Sequence, residues 1–168
     1  GGSGFIGKRL IAKLEALNYS CISLDSKNGD ICKKNTFSNL PYVKCVFHLA
    51  GKSYVPDSWE ENNHFFMTNI IGTKNVLNYC KSVGAKLIMA SSYIYGKPEK
   101  LPIKENHPIN PNNPYALSKS MAEQLIEFEF LYHNINSVIL RIFNIYGKGQ
   151  KDHFLISKII NQIKNKKD

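Results

Sequence analysis

Long apolar runs are what this sequence most lacks. No stretch approaches the roughly 18 consecutive apolar residues that span a bilayer, so no membrane-crossing helix is expected. The chain opens on Gly1-Gly2-Ser3-Gly4, without the basic region and apolar run of a secretory signal. Cysteine is scarce and unpatterned. Cys21, Cys32, Cys45 and Cys80 show no Cys-x-x-Cys spacing and no companion histidines, so no metal site is expected. Cys21 and Cys45 stand in strand-like runs as small hydrophobes, which reads as a reducing, cytoplasmic setting. Acidic residues are few: 13 against 22 lysines and arginines, for a net charge of +9. Such a surface favours anionic ligands, including dinucleotides and nucleotide diphosphates. Nucleic acid is not expected, because there is no zinc-finger spacing, RNP-like aromatic run or basic helical stripe. Part of the excess lies in Lys164-Asn165-Lys166-Lys167-Asp168, read as a solvated helix end. Internal repeats and low-complexity linkers are also missing, and 168 residues suit one domain.

What is present is an alternation of short β-branched runs with longer helical patterns. Ile6, Leu10, Leu14 and Leu17 form one stripe of a helix from about Phe5 to Leu17. Strands are expected at Cys21–Leu24, Cys45–Leu49, Lys86–Ala90 and Ser137–Ile142. A helix capped by Asp57 or Ser58 runs to Gly84, another from about Pro114 to His133, and a last one from about His153 to Lys164. Strands alternating with helices make an α/β fold with a parallel sheet, whose ligands bind at the carboxyl ends of the strands. The chemistry is therefore expected after Leu24, Leu49, Ala90 and Ile142.

Four features stand at strand ends or helix starts. Gly1, Gly4 and Gly7 stand immediately before a helix, where absent side chains and a helix amino terminus suit a pyrophosphate. Asp25 ends the second strand, about twenty residues on, where a carboxylate can accept both adenosine ribose hydroxyls. It would repel a 2′-phosphate, favouring NAD over NADP, although Lys27 lies nearby. Tyr115 and Lys119 are four apart on one helical face, so an ammonium can favour the phenolate of a tyrosine acting as acid or base. Ser91 and Ser92 end a strand before Tyr93-Ile94-Tyr95-Gly96, where a hydroxyl can bridge substrate oxygen and tyrosine. Each feature alone is commonplace. Their order, each at a strand end or helix start, is not.

The chain resembles the extended short-chain dehydrogenase/reductase family, in its sugar-nucleotide epimerase/dehydratase group. Gly-Gly-Ser-Gly-Phe-Ile-Gly at 1–7 is similar to the family's cofactor turn, which implies cofactor contacts for Phe5 and Ile6 as well as the glycines. Gly29-Asp30-Ile31 resembles its adenine-contacting segment, with Asp30 on the adenine amino group. Val46-Phe47-His48-Leu49-Ala50-Gly51 resembles the fourth-strand motif, implying cofactor contacts at Leu49, Ala50 and Gly51. Asn69-Ile70-Ile71-Gly72-Thr73 and the run Glu105, Pro108, Pro111, Pro114 recur as in the family. Leu140 to Gly147 resembles the sixth-strand motif, implying that Phe143 touches the cofactor and Asn144 the substrate diphosphate. The chain departs from the pattern in three places. The first strand is absent, the stretch from Asp25 to Gly29 is short, and Lys148 stands where proline is common.

The resemblance implies a Rossmann-type doubly wound sheet lacking its first strand and most of the carboxyl-terminal substrate domain. Residues 1–150 would form the NAD-binding domain, truncated at its amino end, and 151–168 the start of the substrate region. The implied activity is an NAD-dependent sugar-nucleotide 4-epimerase or 4-keto-sugar reductase. Tyr115 would be the general acid/base, Lys119 would lower its pKa and bind the nicotinamide ribose, and Ser91 would hold the reacting oxygen, Ser92 being second choice. Ser53, Ser92, Tyr93 and Asn144 would contact a nucleotide-diphosphate sugar. A 4,6-dehydratase and an inactive dinucleotide-binding fragment remain as alternatives. Dehydratases resemble one another in a carboxylate one or two residues after the catalytic Ser or Thr, and Ser92 and Tyr93 stand there instead. A homodimer through a four-helix bundle is also implied, with Phe65, Met121, Leu125 and Phe128 as apolar material.

Overall fold

The computed structural model describes residues 1–165. The last three residues of the basic tail, 166–168, lie outside the described residues.

Three strands form a parallel sheet in the order β1-β2-β3: Cys45–His48, Lys86–Ser92 and Ser137–Ile142. Val46 pairs with Leu87, and Ala90 with Leu140. Parallel neighbours need crossovers, and helices supply them. The first crossover is α2 (Val55–Glu60), α3 (Asn62–Phe66), a π-helical stretch at Met67–Ile71 and α4 (Gly72–Val83). The second is α5, Pro114–His133. The single helix expected from Asp57 or Ser58 is thus broken at Glu61 and begins earlier, at Val55, with Pro56 in its first turn. The α5 start follows its sequence signals: Asn113 accepts the Ala116 N–H at 2.8 Å, and Pro114 stands in the first turn.

Helices α4 and α5 pack on one face of the sheet. Alternation along β2 sends Leu87, Met89 and Ser91 into that layer. There they meet Val76, Leu77, Cys80, Ala122 and Ile126, all buried. Phe47, Val138 and Leu140 belong to the opposite face and stay part-exposed.

The amino-terminal region is different. Helix α1 spans Phe5–Glu15, as its stripe predicts. Cys21–Leu24, expected as a strand, is extended but belongs to no sheet. A strand is defined by its ladder, and no strand of the described residues lies between this segment and β1. It is held at its end: the Gly1 and Gly2 nitrogens donate to the Leu24 carbonyl at 2.7 and 3.2 Å, and Asn28 Nδ2 donates to the Ser23 carbonyl at 3.2 Å. The last helix, α6, covers Leu155–Lys164. Phe65 is buried against Tyr115 inside the chain, so it offers nothing to a second copy.

Candidate active site

The glycine turn sits against the carboxyl end of β1. A Cβ on Gly1 would lie 2.5 Å from the Ala50 nitrogen and the Leu49 carbonyl carbon, and one on Gly7 would collide with the carbonyls of Gly1 and Gly2. Gly4 turns its N–H back to the Gly1 carbonyl at 3.1 Å and caps α1. Bare backbone at a helix amino terminus is the cradle a pyrophosphate requires. Asp25 reaches the same turn. Its carboxylate accepts the Lys27 N–H and a hydrogen bond from the Ser3 hydroxyl, and these hold its pKa below the ordinary value. Asp30 is exposed and accepts the Cys32 N–H, while the Ile31 carbonyl accepts from Asn75 at 2.9 Å. Phe5 lies beneath the Arg9 guanidinium at 4.1 Å, and half-buried Ile6 follows it. Arg9 also donates to the Lys148 carbonyl, drawing the loop after β3 onto α1.

Tyr115 and Lys119 lie in the first two turns of α5, with Lys119 only 5% exposed. Burial pulls the ammonium pKa down to about 8, and Glu123 opposes the fall. Burial raises the Tyr115 phenol above its ordinary value, opposed by a hydrogen bond with Ser92. The lowering expected from Lys119 does not prevail in the chain by itself.

Adjacent strand residues point to opposite faces, and this separates the two serines. Ser92 is the one that meets Tyr115. Ser91 is turned into the α5 layer, 5% exposed, and donates its hydroxyl to Glu123. The sequence favours Ser91; in the structure its hydroxyl is turned to Glu123, while Ser92 lies on the side of the phenol.

Other buried side chains brace this arrangement. Asn69, in the π-helical stretch, donates to Ser118 at 2.9 Å and to the Lys52 carbonyl at 3.1 Å, and accepts the Lys52 N–H at 3.0 Å. It thereby ties α5, beside Lys119, to the Gly51–Ser53 loop after β1. Thr73 gives its hydroxyl proton to the Asn69 carbonyl, so the His48 Nε2 at 2.9 Å must donate to Thr73. His48 is buried and faces the positive charge of Lys119; desolvation first, then that charge, lowers its pKa to about 3. The imidazole is neutral.

The residues expected on the sugar are less gathered. Ser53 and Asn144 are exposed on the loops after β1 and β3. Tyr93 donates its hydroxyl to the Gly96 carbonyl and packs edge-on against Tyr95 and Phe143, with centroids 6.2 and 5.2 Å away. Sequence reasoning missed Glu123, although its position four after Lys119 was a usable signal.

The NAD dependent epimerase/dehydratase family model matches residues 1–168. This chain belongs to that family. It is 35% identical over 170 residues to a putative UDP-glucose 4-epimerase of Methanocaldococcus jannaschii, covering 89% of this chain and 56% of that protein. It is 34% identical to the GDP-6-deoxy-D-mannose reductase of Pseudomonas aeruginosa, covering 97% and 56%. The structure of RMD from Pseudomonas aeruginosa complexed with NADPH superposes with a TM-score of 0.87 at 33% identity, over 99% of this chain and 61% of that one. The chain therefore spans little more than half the length of the curated relatives it matches. The family's enzymes are NAD(P)-linked epimerases, dehydratases and reductases of sugar nucleotides, and the fold is the Rossmann type expected. No helix among the described residues is long and apolar enough to cross a membrane, and no group of three His, Cys, Asp or Glu there could hold a metal.

Proposed function

We propose that the protein is an NAD-dependent 4-epimerase or 4-keto-sugar reductase acting on a nucleotide-diphosphate sugar. The observation that carries the reading is the placement of Tyr115 and buried Lys119 in the first two turns of α5, with Ser92 at the end of β2 on the side of the phenol. The glycine turn, next to β1, supplies the second half of the site. Residues 1–150 would hold the dinucleotide and 151–168 would begin the sugar-binding region. Gly1, Gly4 and Gly7 would receive the pyrophosphate, Asp25 the adenosine ribose and Asp30 the adenine. When bound, the nicotinamide supplies the acceptor and donor of hydride. The chain's own work is the proton. Tyr115 would take it from the C4 hydroxyl on oxidation and return it on reduction, while Ser92 would hold the same oxygen in line. Lys119, charged, would favour the phenolate. Dehydration is disfavoured: neither Ser92 nor Tyr93 is a carboxylate, and the Tyr93 hydroxyl is already given to the Gly96 carbonyl. Ser53 and Asn144 would meet the sugar nucleotide from the two flanking loops.

Tyr115→Phe should preserve NAD binding and lower turnover by roughly 10²–10⁴-fold. A Tyr115→Phe protein with a near-normal rate rejects the assignment, and a 4-keto-6-deoxy product from UDP-, GDP- or dTDP-hexose rejects the reaction. Asp25→Ala should weaken NAD and relax discrimination against NADP, because the repelling carboxylate is gone; a parent that already prefers NADP refutes that role.

The Tyr115 phenol pKa, raised and not lowered by burial, supports a second reading, dinucleotide binding without turnover. A fluorescence titration showing NADH binding, with no product from any hexose nucleotide, selects it. A homodimer is proposed through the long helices, where Leu117, Met121, Phe128, Met67 and Ile71 are each more than 40% exposed. Sedimentation showing a monomer at all concentrations refutes that.

A further inference from the structure

Glu123 is among the most buried charged side chains of the protein, 2% exposed. It lies one helical turn beyond Lys119, on the same face of α5. Its carboxylate accepts from the Ser91 hydroxyl, from Arg141 Nε at 3.0 and 3.2 Å, and from Arg141 Nη2 at 2.7 Å. Arg141 Nη1 donates onward to the Tyr95 hydroxyl and the Glu105 carbonyl, both at 2.9 Å. One carboxylate thus joins the end of β2, the end of β3 and the loop leading to α5. A two-pronged, charge-assisted contact of this kind fixes orientation as well as distance. Lys119, by contrast, has no salt bridge among the described residues.

We propose that Glu123 is a positioning residue for the Tyr115–Lys119 pair: it keeps the buried Lys119 ammonium charged from one turn away and, through Ser91 and Arg141, fixes the strand end against which the pair works. The inference rests on the roles proposed above for Tyr115 and Lys119. Four groups bear on the ammonium. Tyr115 and Glu123 share its helix, neutral His48 approaches from β1, and Arg141 stands across Glu123 on β3. Among these Glu123 alone raises the ammonium pKa against burial. Ser91 is explained too, since it serves the strand end and leaves Ser92 to the phenol.

The test is a titration of Lys119 itself, in protein carrying ¹³C at the lysine ε carbons, with the Lys119 signal assigned by its loss in Lys119→Gln. Glu123→Gln should lower the Lys119 midpoint by about half a pH unit or more, a threefold or greater loss of proton affinity. Glu123→Asp keeps the charge and should leave the midpoint near that of the parent. A folded Glu123→Gln protein with an unchanged midpoint overturns the proposal, as does a Glu123→Asp shift equal to that of Gln. Should Glu123→Gln not fold, Arg141→Gln takes its place. With its partner gone, the carboxylate should raise the midpoint, and a midpoint unchanged or lowered overturns the proposal. The titration needs neither cofactor nor substrate, so a shift without turnover would refute the proposed activity and leave the role of Glu123 standing.

Discussion

The first forty-four residues and the sheet with its two long helices are built to different standards. In residues 1–44 only Gly7 is buried, whereas seven of the twelve residues of α4 are, together with Leu87 and Met89 of β2. Hydrophobic burial is the largest stabilising term in a fold, so the two regions cannot be equally firm. The firm region holds the proton chemistry of the proposed site. The lighter one holds the glycine turn proposed for the dinucleotide. Backbone pairing tells the same story: β2 is paired on both sides, while Cys21–Leu24 is held by the bonds to the Ser23 and Leu24 carbonyls. The chemistry that needs a fixed angstrom-scale geometry stands on the paired strands. The proposed recognition of a long flexible cofactor falls to the region that a ligand can itself stabilise.

The contrast is tested most strongly in the core. Leu87→Ala empties a fully buried site and should cost about 2–5 kcal/mol, whereas Leu14→Ala on α1 should cost less than about 1 kcal/mol. Urea unfolding of both variants measures the difference, and equal losses would erase the distinction. A medium effect comes from His48. Its folded pKa is about 3 against 6.5 ordinarily, so below pH 6.5 the unfolded chain takes up a proton that the folded one refuses. Stability is therefore lost as pH falls, by at most about 1.4 kcal/mol per unit. Between pH 6.5 and 4.5 this precedes titration of the carboxylates held low by their partners, Asp25, Glu61 and Glu129. His48→Asn should flatten that limb; a slope unchanged by the substitution would place the acid sensitivity elsewhere. The finest test is hydrogen exchange. Amides of Cys21–Leu24 should open with free energies near zero while those of Leu87–Met89 approach the global value. Strong, cooperative protection in both would mean that the amino-terminal region folds as one unit with the sheet.

Much of the fold was legible in the residues themselves. The stripe of α1, the strands β1, β2 and β3, and the proline-started α5 follow from periodicity and caps, which are local properties. The same locality misled at Cys21–Leu24, whose β-branched and apolar pattern is real but whose ladder needs a neighbour. It also misled between Asp57 and Gly84, where a smooth helical period conceals the break at Glu61 and the π-helical stretch that aims Asn69 at Ser118. Phe65 reads as surface for a partner and is core instead, because Tyr115 covers it.

The candidate site divides along the same line. Glycine spacing, Asp25, and a tyrosine with a lysine four residues on are linear patterns, and they suggest a chemistry because backbone geometry translates spacing into proximity. Which serine meets Tyr115 is not a linear property. It depends on how the end of β2 turns against α5: alternation along the strand sends Ser91 into the helix layer, where its hydroxyl meets Glu123, and turns Ser92 to the other face. The burial of Lys119, the neutrality of His48 and the Glu123–Arg141 junction are likewise products of packing. The sequence determined which groups could do proton and dinucleotide chemistry. Only the tertiary structure decided which of them are desolvated and which partners they face, because burial and charge–charge distance are properties of the assembled layers rather than of any one segment.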